Sequence, residues 1–139
     1  MKDFLTPAER SAHMRRIRKS DTKPELVVRR AIHSMGFRFR LHRRDLPGTP
    51  DVVLPRHWKV IQVHGCFWHQ HEGCRLARQP KSRLDYWLPK LARNTERDQA
   101  AKAALAAAGW KCLTVWECQT LSAEKLEAIL KQFLLGEAH

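Results

Sequence analysis

The sequence predicts one domain of the α+β class (α/β in the broad sense), with a central mixed β-sheet flanked by helices. Its 139 residues, 43% of them hydrophobic, suffice for a single core and leave little room for a second one. Helical and strand-like patterns follow the order helix, three strands, helix, strand, helix. The first three strands lack helical crossovers and should form an antiparallel meander, whereas the fourth follows a helix and can lie parallel to its neighbour.

The first helix is predicted to begin within residues 21–25, where a capping side chain precedes Pro24 and an acidic residue. Gly36 is expected to end it. Apolar residues at i, i+3, i+4 and i+7 predict its buried stripe, which consists of Val28, Ala31, Ile32 and Met35.

Strands are predicted where apolar residues alternate with polar ones or form short runs. Residues 37–41 alternate strictly, which favours a half-buried strand, and residues 45–50 form a loop with two prolines and a glycine. The other predicted strands cover residues 51–54, 58–63 and 110–117.

Two helices are predicted in the second half of the chain. The longer runs from about Trp87 to Ala108 and ends at Gly109, and the last is capped by Ser122. The core-facing stripe of the last helix consists of Leu126, Ile129, Leu130 and Phe133.

The charge of the chain indicates a polyanionic partner. Lys and Arg number 26 against 14 Asp and Glu, a formal net charge of +12. Nucleic acid is the polyanion that a small basic domain most often binds, and residues 1–20 form a basic arm suited to it. An anionic membrane surface is the weaker alternative, because the basic stretch at residues 13–19 is short for a membrane-binding helix.

Targeting and membrane signals are not recognisable in the sequence. No apolar run approaches the roughly 20 residues that span a bilayer, and residues 1–10 lack the apolar segment of a secretory signal. We therefore expect a cytoplasmic, nucleoid-associated protein without membrane contacts. In that compartment the four cysteines should bind metal or be buried rather than form disulfides.

Asp51 is a candidate ligand for magnesium. It opens a predicted strand, and the next strand ends near Val63, so two adjacent strands can bring the Asp51 carboxylate close to the backbone there. Mg²⁺ prefers oxygen ligands and keeps several waters, so a carboxylate and a backbone carbonyl can form a sparse site for phosphodiester cleavage. The alternative is that Asp51 only caps a loop.

Residues 64–80 are rich in histidine and cysteine and are predicted to be an irregular zinc-stabilised loop. Three thiols and one imidazole can close a tetrahedral site, which is more often structural than catalytic. The candidate ligands are Cys66, His71, Cys74 and Cys118. Alternatively, Cys66 and Cys74 are small buried apolar side chains, as we expect for Cys112 within its strand.

Two histidines of this segment remain outside the zinc site. His64 and His69 can take a proton from attacking water or stabilise developing charge, and Asp98 on the long helix can orient one of them. The alternative for each histidine is a structural side chain.

Phe67 and Trp68 lie beside these histidines, and Trp87 is a third candidate aromatic. In a basic protein, exposed aromatics can wedge between base steps. Core packing is the alternative for any Trp, but the loop position of Phe67 and Trp68 favours the wedge.

The order of elements, with Asp51 at one strand start and polar residues at the next strand end, resembles the restriction-endonuclease-like superfamily. That pattern continues with an acidic residue, any residue and a lysine. Here the two positions hold Gln62 and His64, so the second carboxylate and the lysine are missing and histidines would handle the protons.

Several separated motifs more specifically resemble the very short patch repair endonucleases, which are bacterial T:G mismatch nickases of this fold. The resemblance runs from about Arg10 to Cys118. The principal motifs are Leu46-Pro47-Gly48-Thr49-Pro50-Asp51, Val63-His64-Gly65-Cys66-Phe67-Trp68-His69, Asn94-Thr95-Glu96-Arg97-Asp98 and Val115-Trp116-Glu117-Cys118.

The resemblance implies a role for individual residues. Asp51 and the backbone carbonyl of Val63 would hold Mg²⁺, and His69, oriented by Asp98, would be the general base. The resemblance likewise assigns the zinc site to Cys66, His71, Cys74 and Cys118. The remaining implied roles are phosphate stabilisation by His64 and ordering of metal-bound water by Glu25.

The resemblance also implies a DNA interface. Met14 and Ile17 of the basic arm would press into one groove, and Lys90 and Asn94 would read the mismatched pair. The residues that would intercalate from the major groove are Phe67, Trp68 and Trp87.

The implied function is strand-specific cleavage of double-stranded DNA, by a monomer, 5′ of the thymine in T:G mismatches left by deaminated 5-methylcytosine. Two alternatives stay open: a zinc-stabilised DNA-binding protein without catalysis, and a related nickase with another DNA target. No surface for a repair-protein partner is recognisable in the sequence.

Overall fold

The computed structural model describes residues 22–78 and 80–136, in which a four-stranded mixed sheet carries three α-helices. The predicted basic arm, with Met14 and Ile17, lies outside the described residues. The elements in chain order are α1 (Lys23–Ser34), β1 (Arg40–Leu41), β2 (Val52–Leu54), β3 (Lys59–His64), α2 (Leu84–Ala107), β4 (Lys111–Trp116) and α3 (Ala123–Leu134).

The sheet has the strand order β1-β2-β3-β4. β1 and β2 pair antiparallel, as do β2 and β3, whereas β3 and β4 run parallel. This topology confirms the predicted meander and the predicted parallel fourth strand. Since Val52 lies opposite Ile61, the residue before β2 comes beside the carboxyl end of β3.

Local sequence signals fix the ends of α1. The Thr22 hydroxyl caps the helix by accepting a hydrogen bond from the Glu25 N–H at 3.4 Å, and Pro24 lies in the first turn. The helix ends at Ser34, and Gly36 follows with a φ of +87°, which glycine adopts without steric strain.

Helices cover both faces of the sheet. On one face, α1 and α3 pack against alternate strand residues, while on the other α2 contributes Leu105. This two-sided cover explains why all three residues of β2 are fully buried. The larger core cluster consists of Val28, Ile32, Val52, Leu54, Ile61, Val115, Leu126, Leu130 and Leu134, and the smaller of Val53, Val60, Leu105 and Trp110.

The strand predicted at residues 37–41 is wrong for its first three residues. Phe37 and Phe39 pack against the larger core, which accounts for their alternation in the sequence, but only Arg40 and Leu41 pair with β2. The ladder stops because β2 is followed directly by Pro55, which lacks an N–H and begins a 3-10 turn.

Several other predicted boundaries shift by one to three residues; Asp51, for example, precedes β2 instead of opening it. Trp58 belongs to the turn, with a φ of +55°, and β3 begins one residue later. Trp110 precedes β4 instead of opening it. The long helix begins at Leu84, three residues before the predicted start, so Pro89 lies in its second turn instead of its first. No helix in the described parts of the chain is both long and apolar enough to cross a membrane.

Candidate active site and metal cluster

A cleft of about 850 Å³ opens between the start of α1, the carboxyl end of β3 and the middle of α2. The structure brings together in its lining the residues that were predicted to act in catalysis or bind magnesium. These residues are Glu25, Asp51, Val63, His64, His69 and Asp98.

The carboxylate of Asp51 lies deep in the cleft. Its Oδ2 accepts a hydrogen bond from the Val63 N–H at 2.6 Å. The N–H and C=O of one residue in an extended strand point to the same side, so the Val63 carbonyl is directed toward the side on which Asp51 lies. Burial is the main cause that raises the pKa of Asp51 to about 6, and Glu25 raises it further.

Loop geometry holds Asp51 in this position. Gly48 has a φ of +73°, and a Cβ atom there would lie 2.7 Å from the Cβ of Ala101 on α2. Since only glycine permits this close approach and this φ, the loop before Asp51 lies directly against the helix that carries Asp98.

Glu25 and Asp51 share a neighbour that the sequence analysis did not identify. His42 Nε2 lies 3.0 Å from Glu25 Oε1 and 3.9 Å from Asp51 Oδ1. The backbone N–H of His42 also donates a hydrogen bond to the backbone carbonyl of Asp51 at 3.3 Å. Glu25 is only 5% exposed and also accepts a hydrogen bond from Arg29.

The two predicted catalytic histidines stack on each other. The rings of His64 and His69 are nearly parallel, with centroids 3.9 Å apart. His69 Nδ1 lies 2.5 Å from Asp98 Oδ2, and because a carboxylate only accepts, Nδ1 carries the hydrogen of this bond. Burial, more than repulsion from His69, lowers the pKa of His64 to about 4, so this imidazole is neutral near pH 7.

The predicted zinc ligands form a cluster behind the cleft. Cys66, His71, Cys74 and Cys118 place their ligand atoms within 4.8 Å of one another. His71 Nδ1 lies 3.6 Å from the sulfur of Cys66 and 3.5 Å from that of Cys118. Tetrahedral zinc with ordinary bond lengths separates a sulfur and a nitrogen ligand by about 3.6 Å, so the cluster has the spacing of a zinc site.

The cluster connects the two central strands. Cys66 follows β3, and Cys118 follows β4, at the point where His64 pairs with Trp116 in the parallel ladder. The N–H of Cys118 donates to the Cys66 sulfur at 3.4 Å. Burial raises the pKa of the Cys66 thiol to about 12, so a metal ion has to displace its proton.

The three predicted wedge residues form one aromatic group. The ring centroids of Phe67, Trp68 and Trp87 lie 5.3 to 5.6 Å apart, and Trp68 lines the cleft. Tyr86, 49% exposed, extends this group and has its ring centroid 5.7 Å from the Lys90 amine.

The two predicted mismatch-reading residues are placed differently. Asn94 lines the cleft and Lys90 does not. The Asn94 amide donates a hydrogen bond to the Trp68 carbonyl at 3.2 Å, and its oxygen accepts one from Arg97.

The cleft also contains residues that sequence reasoning gave no role. They are Gln62, Arg97 and Glu117. Glu117 accepts a hydrogen bond from the Cys66 N–H at 3.2 Å, so it connects the cleft to the metal cluster. The available signals were weak: Arg97 and Glu117 each stand next to a predicted site residue in the sequence.

Comparison with known proteins shows similarity over almost the whole chain. The family model described as DNA mismatch endonuclease Vsr matches residues 2–75. A type II nicking enzyme of Xanthomonas oryzae pv. oryzae, V.XorIIP, is 53% identical over 134 residues, which cover 96% of this chain and 98% of that protein. The DNA mismatch endonuclease Vsr of Escherichia coli K12 is 39% identical over 142 residues, covering 99% and 90%. The nicking enzyme V.NmeAIP of Neisseria meningitidis serogroup A is 37% identical over 136 residues, covering 95% and 96%.

Proposed function

Since this chain belongs to the Vsr family of DNA mismatch endonucleases and is a nicking endonuclease of DNA, we propose that it cuts one strand 5′ of the thymine in T:G mismatches. Such mismatches arise when 5-methylcytosine is deaminated. One relative is named as a mismatch endonuclease and the others as nicking enzymes. The proposed cut would initiate very short patch repair.

The observation that carries this proposal is the convergence of Asp51, His64 and the His69–Asp98 pair on one cleft. His69 Nε2 takes a proton from the attacking water, and Asp98 stabilises the imidazolium that forms. Water adds to phosphorus while the bond to the 3′ oxygen breaks, which leaves a 5′-phosphate and a 3′-hydroxyl after that oxygen gains a proton. His64, neutral near pH 7, donates a hydrogen bond to the phosphate.

The carboxylates at the head of the cleft fit magnesium. Asp51 and Glu25 offer hard oxygen donors, and Asp51 with the Val63 carbonyl would hold the ion. Magnesium would supply polarisation of the phosphate and a lower pKa for water. Glu25 would order the water next to it, and His42 keeps the Glu25 carboxylate in place.

The cysteine and histidine cluster fits a structural zinc ion. Its four candidate ligands would complete a tetrahedral shell, which would leave no position for substrate. Bound zinc would fix the loop that carries His69 between the ends of β3 and β4.

The aromatic group explains how a mismatch could be preferred. Inserting Phe67, Trp68 and Trp87 beside a base pair costs a few kcal/mol of unstacking, and this cost is lowest where pairing is already poor. Met14 and Ile17 of the arm would enter from the opposite groove. Lys90 and Asn94 are the proposed readers of the mismatched pair.

The test is cleavage of end-labelled duplexes that carry T:G, other mismatches, a branch or only matched pairs, with and without Mg²⁺. We expect nicking 5′ of the thymine in the T:G duplex only when Mg²⁺ is present. Asp51→Ala should bind the same duplex and not nick it. Equal nicking of the matched duplex would contradict the mismatch specificity, and native nicking by Asp51→Ala would contradict the metal assignment.

The same panel distinguishes the alternatives. Several relatives are named only as nicking enzymes, which favours a nickase with another target as the second candidate. A zinc-stabilised binding protein would bind T:G duplex and cut none of the duplexes. We further propose that residues 1–139 act as one domain and as a monomer in the cytoplasm.

A further inference from the structure

The charge around the cleft is unfavourable for a DNA backbone. Among the described residues of its lining, four are carboxylates and one is a lysine or arginine. A phosphodiester that enters must approach the acidic side chains Glu25, Asp51, Asp98 and Glu117. The one permanent cation of this described lining, Arg97, is therefore the side chain best suited to balance the phosphate charge.

Helix geometry presents Arg97 to the cleft. Asn94, Arg97, Asp98 and Ala101 follow one another on α2 at i, i+3, i+4 and i+7, and all four line the cleft. Arg97 thus lies on the same helical face as Asp98, which orients the proposed general base.

The Arg97 guanidinium is held but not neutralised. Its Nη2 donates to Asn94 Oδ1, and within residues 22–78 and 80–136 it forms no ion pair with a carboxylate. Four of its five N–H groups are thus available to an external acceptor. A planar guanidinium with free N–H groups matches two oxygens of a phosphate.

Asn94 connects this cation to the aromatic group. Its amide donates to the Trp68 carbonyl at 3.2 Å, while its oxygen accepts from Arg97. Both ends of the Asn94 side chain therefore have partners within the protein. Two successive hydrogen bonds therefore link the guanidinium to Trp68, one of the proposed wedge residues.

We infer that Arg97 binds a phosphate of the cleaved strand at or next to the scissile bond. Asn94 is a positioning residue, because its side chain orients Arg97 relative to the aromatic group. This inference rests on the proposed cleavage of DNA in this cleft. The restriction-endonuclease-like pattern has a lysine where this chain has His64, at the end of β3. The inference places the corresponding positive charge on Arg97 of α2 instead.

The test compares single-turnover nicking of the T:G duplex by Arg97→Gln, Arg97→Lys and the control Lys102→Gln. Lys102 lies on the same helix, is exposed and does not line the cleft. We expect Arg97→Gln to slow nicking by about 10²-fold, as for loss of a donor to a developing anion, and Arg97→Lys to recover part of that loss. Lys102→Gln should stay within about threefold of the wild type, since surface substitutions change little.

Binding without cleavage gives a second readout. With Ca²⁺ in place of Mg²⁺, the slope of log affinity against log salt should fall by about 1 for Arg97→Gln, because one phosphate contact is lost. An Arg97→Gln protein with native nicking rate and native salt slope would overturn the inference. If the wild type cuts no duplex, the proposed function fails, while the salt slope still tests the Arg97 contact.

A double substitution tests the role of Asn94. If Asn94 acts by holding Arg97, the Asn94→Ala/Arg97→Gln protein should nick no more slowly than Arg97→Gln alone. Independent losses in nicking rate that multiply would overturn the positioning role of Asn94 and leave it only the proposed reading of the mismatched pair.

Discussion

Replacing Asp51 by Asn should abolish nicking and at the same time stabilise the magnesium-free protein at neutral pH. The Asp51 side chain is 17% exposed, and burial is the main cause that raises its pKa from 3.8 to about 6. The folded protein thus favours the protonated carboxyl. The stability that this preference contributes is complete below pH 3.8 and is lost as the pH rises through 6.

The magnitude follows from the two pKa values. A pKa raised from 3.8 to about 6 corresponds to about 3 kcal/mol of unfavourable free energy for the ionised form in the folded state. Asn cannot ionise, and its side-chain oxygen can still accept the Val63 N–H. The stability of Asp51→Asn minus that of the wild type should therefore rise by about 2 kcal/mol between roughly pH 4.5 and 7.5, and reach about 3 kcal/mol near pH 8.

The assay is urea denaturation of zinc-loaded, magnesium-free protein across this pH range, followed by tryptophan fluorescence. Subtracting the two curves cancels the pH dependence that both proteins share, including that of zinc binding. Asp45→Asn is the control, because the hydrogen bond from Arg43 lowers the pKa of Asp45 and this variant should not gain stability as pH rises. A difference that is flat or that falls with pH would refute the reasoning.

Three other perturbations probe separate parts of the site. Asp98→Asn should slow single-turnover nicking by about 10²-fold or more and leave duplex affinity nearly unchanged, because it removes the partner that orients His69, the proposed base; loss of affinity instead of rate would contradict this. We expect the wild type to bind one zinc ion by atomic absorption; Cys118→Ser should lose it and unfold at lower urea, while Cys112→Ser, outside the cluster, should keep it. Full zinc content in Cys118→Ser would exclude that ligand. Trp68→Ala should reduce the preference for T:G over matched duplex by about tenfold, a typical loss for one stacking side chain. The exposed Trp58, replaced by Ala, should leave that preference unchanged, and equal effects of the two substitutions would argue against a wedge.

Features that depend on neighbouring residues in the sequence were predictable. The start of α1 follows from Thr22 and Pro24, and its end from Gly36, because capping and backbone φ are decided within one turn. The parallel arrangement of β3 and β4 follows from the helix between them. Cys66 and His71 were noticed because thiols and imidazoles so close together have few structural uses besides metal binding.

Other features that depend on contacts across the fold have no signal in the local sequence. The alternation of Phe37 and Phe39 reports burial correctly, but pairing ends where Pro55 starts a turn in the neighbouring strand. His42 reaches Glu25 from another element, and nothing in its local sequence distinguishes it from other histidines. The proposed role of Arg97 depends on the four carboxylates around it, and the local sequence does not show that these residues line the same cleft. The functional roles of the predicted residues stay predictions.

The metal cluster draws on segments that are synthesised at very different times. Cys66, His71 and Cys74 leave the ribosome early, whereas Cys118 appears only after α2 and β4 have been made. A chain that ends before β4 therefore contains Asp51, His64 and His69 without Cys118, the last of the four candidate ligands. The order of synthesis thus makes Cys118 the last candidate ligand to appear, and the proposed metal site can form only after β4 has been made.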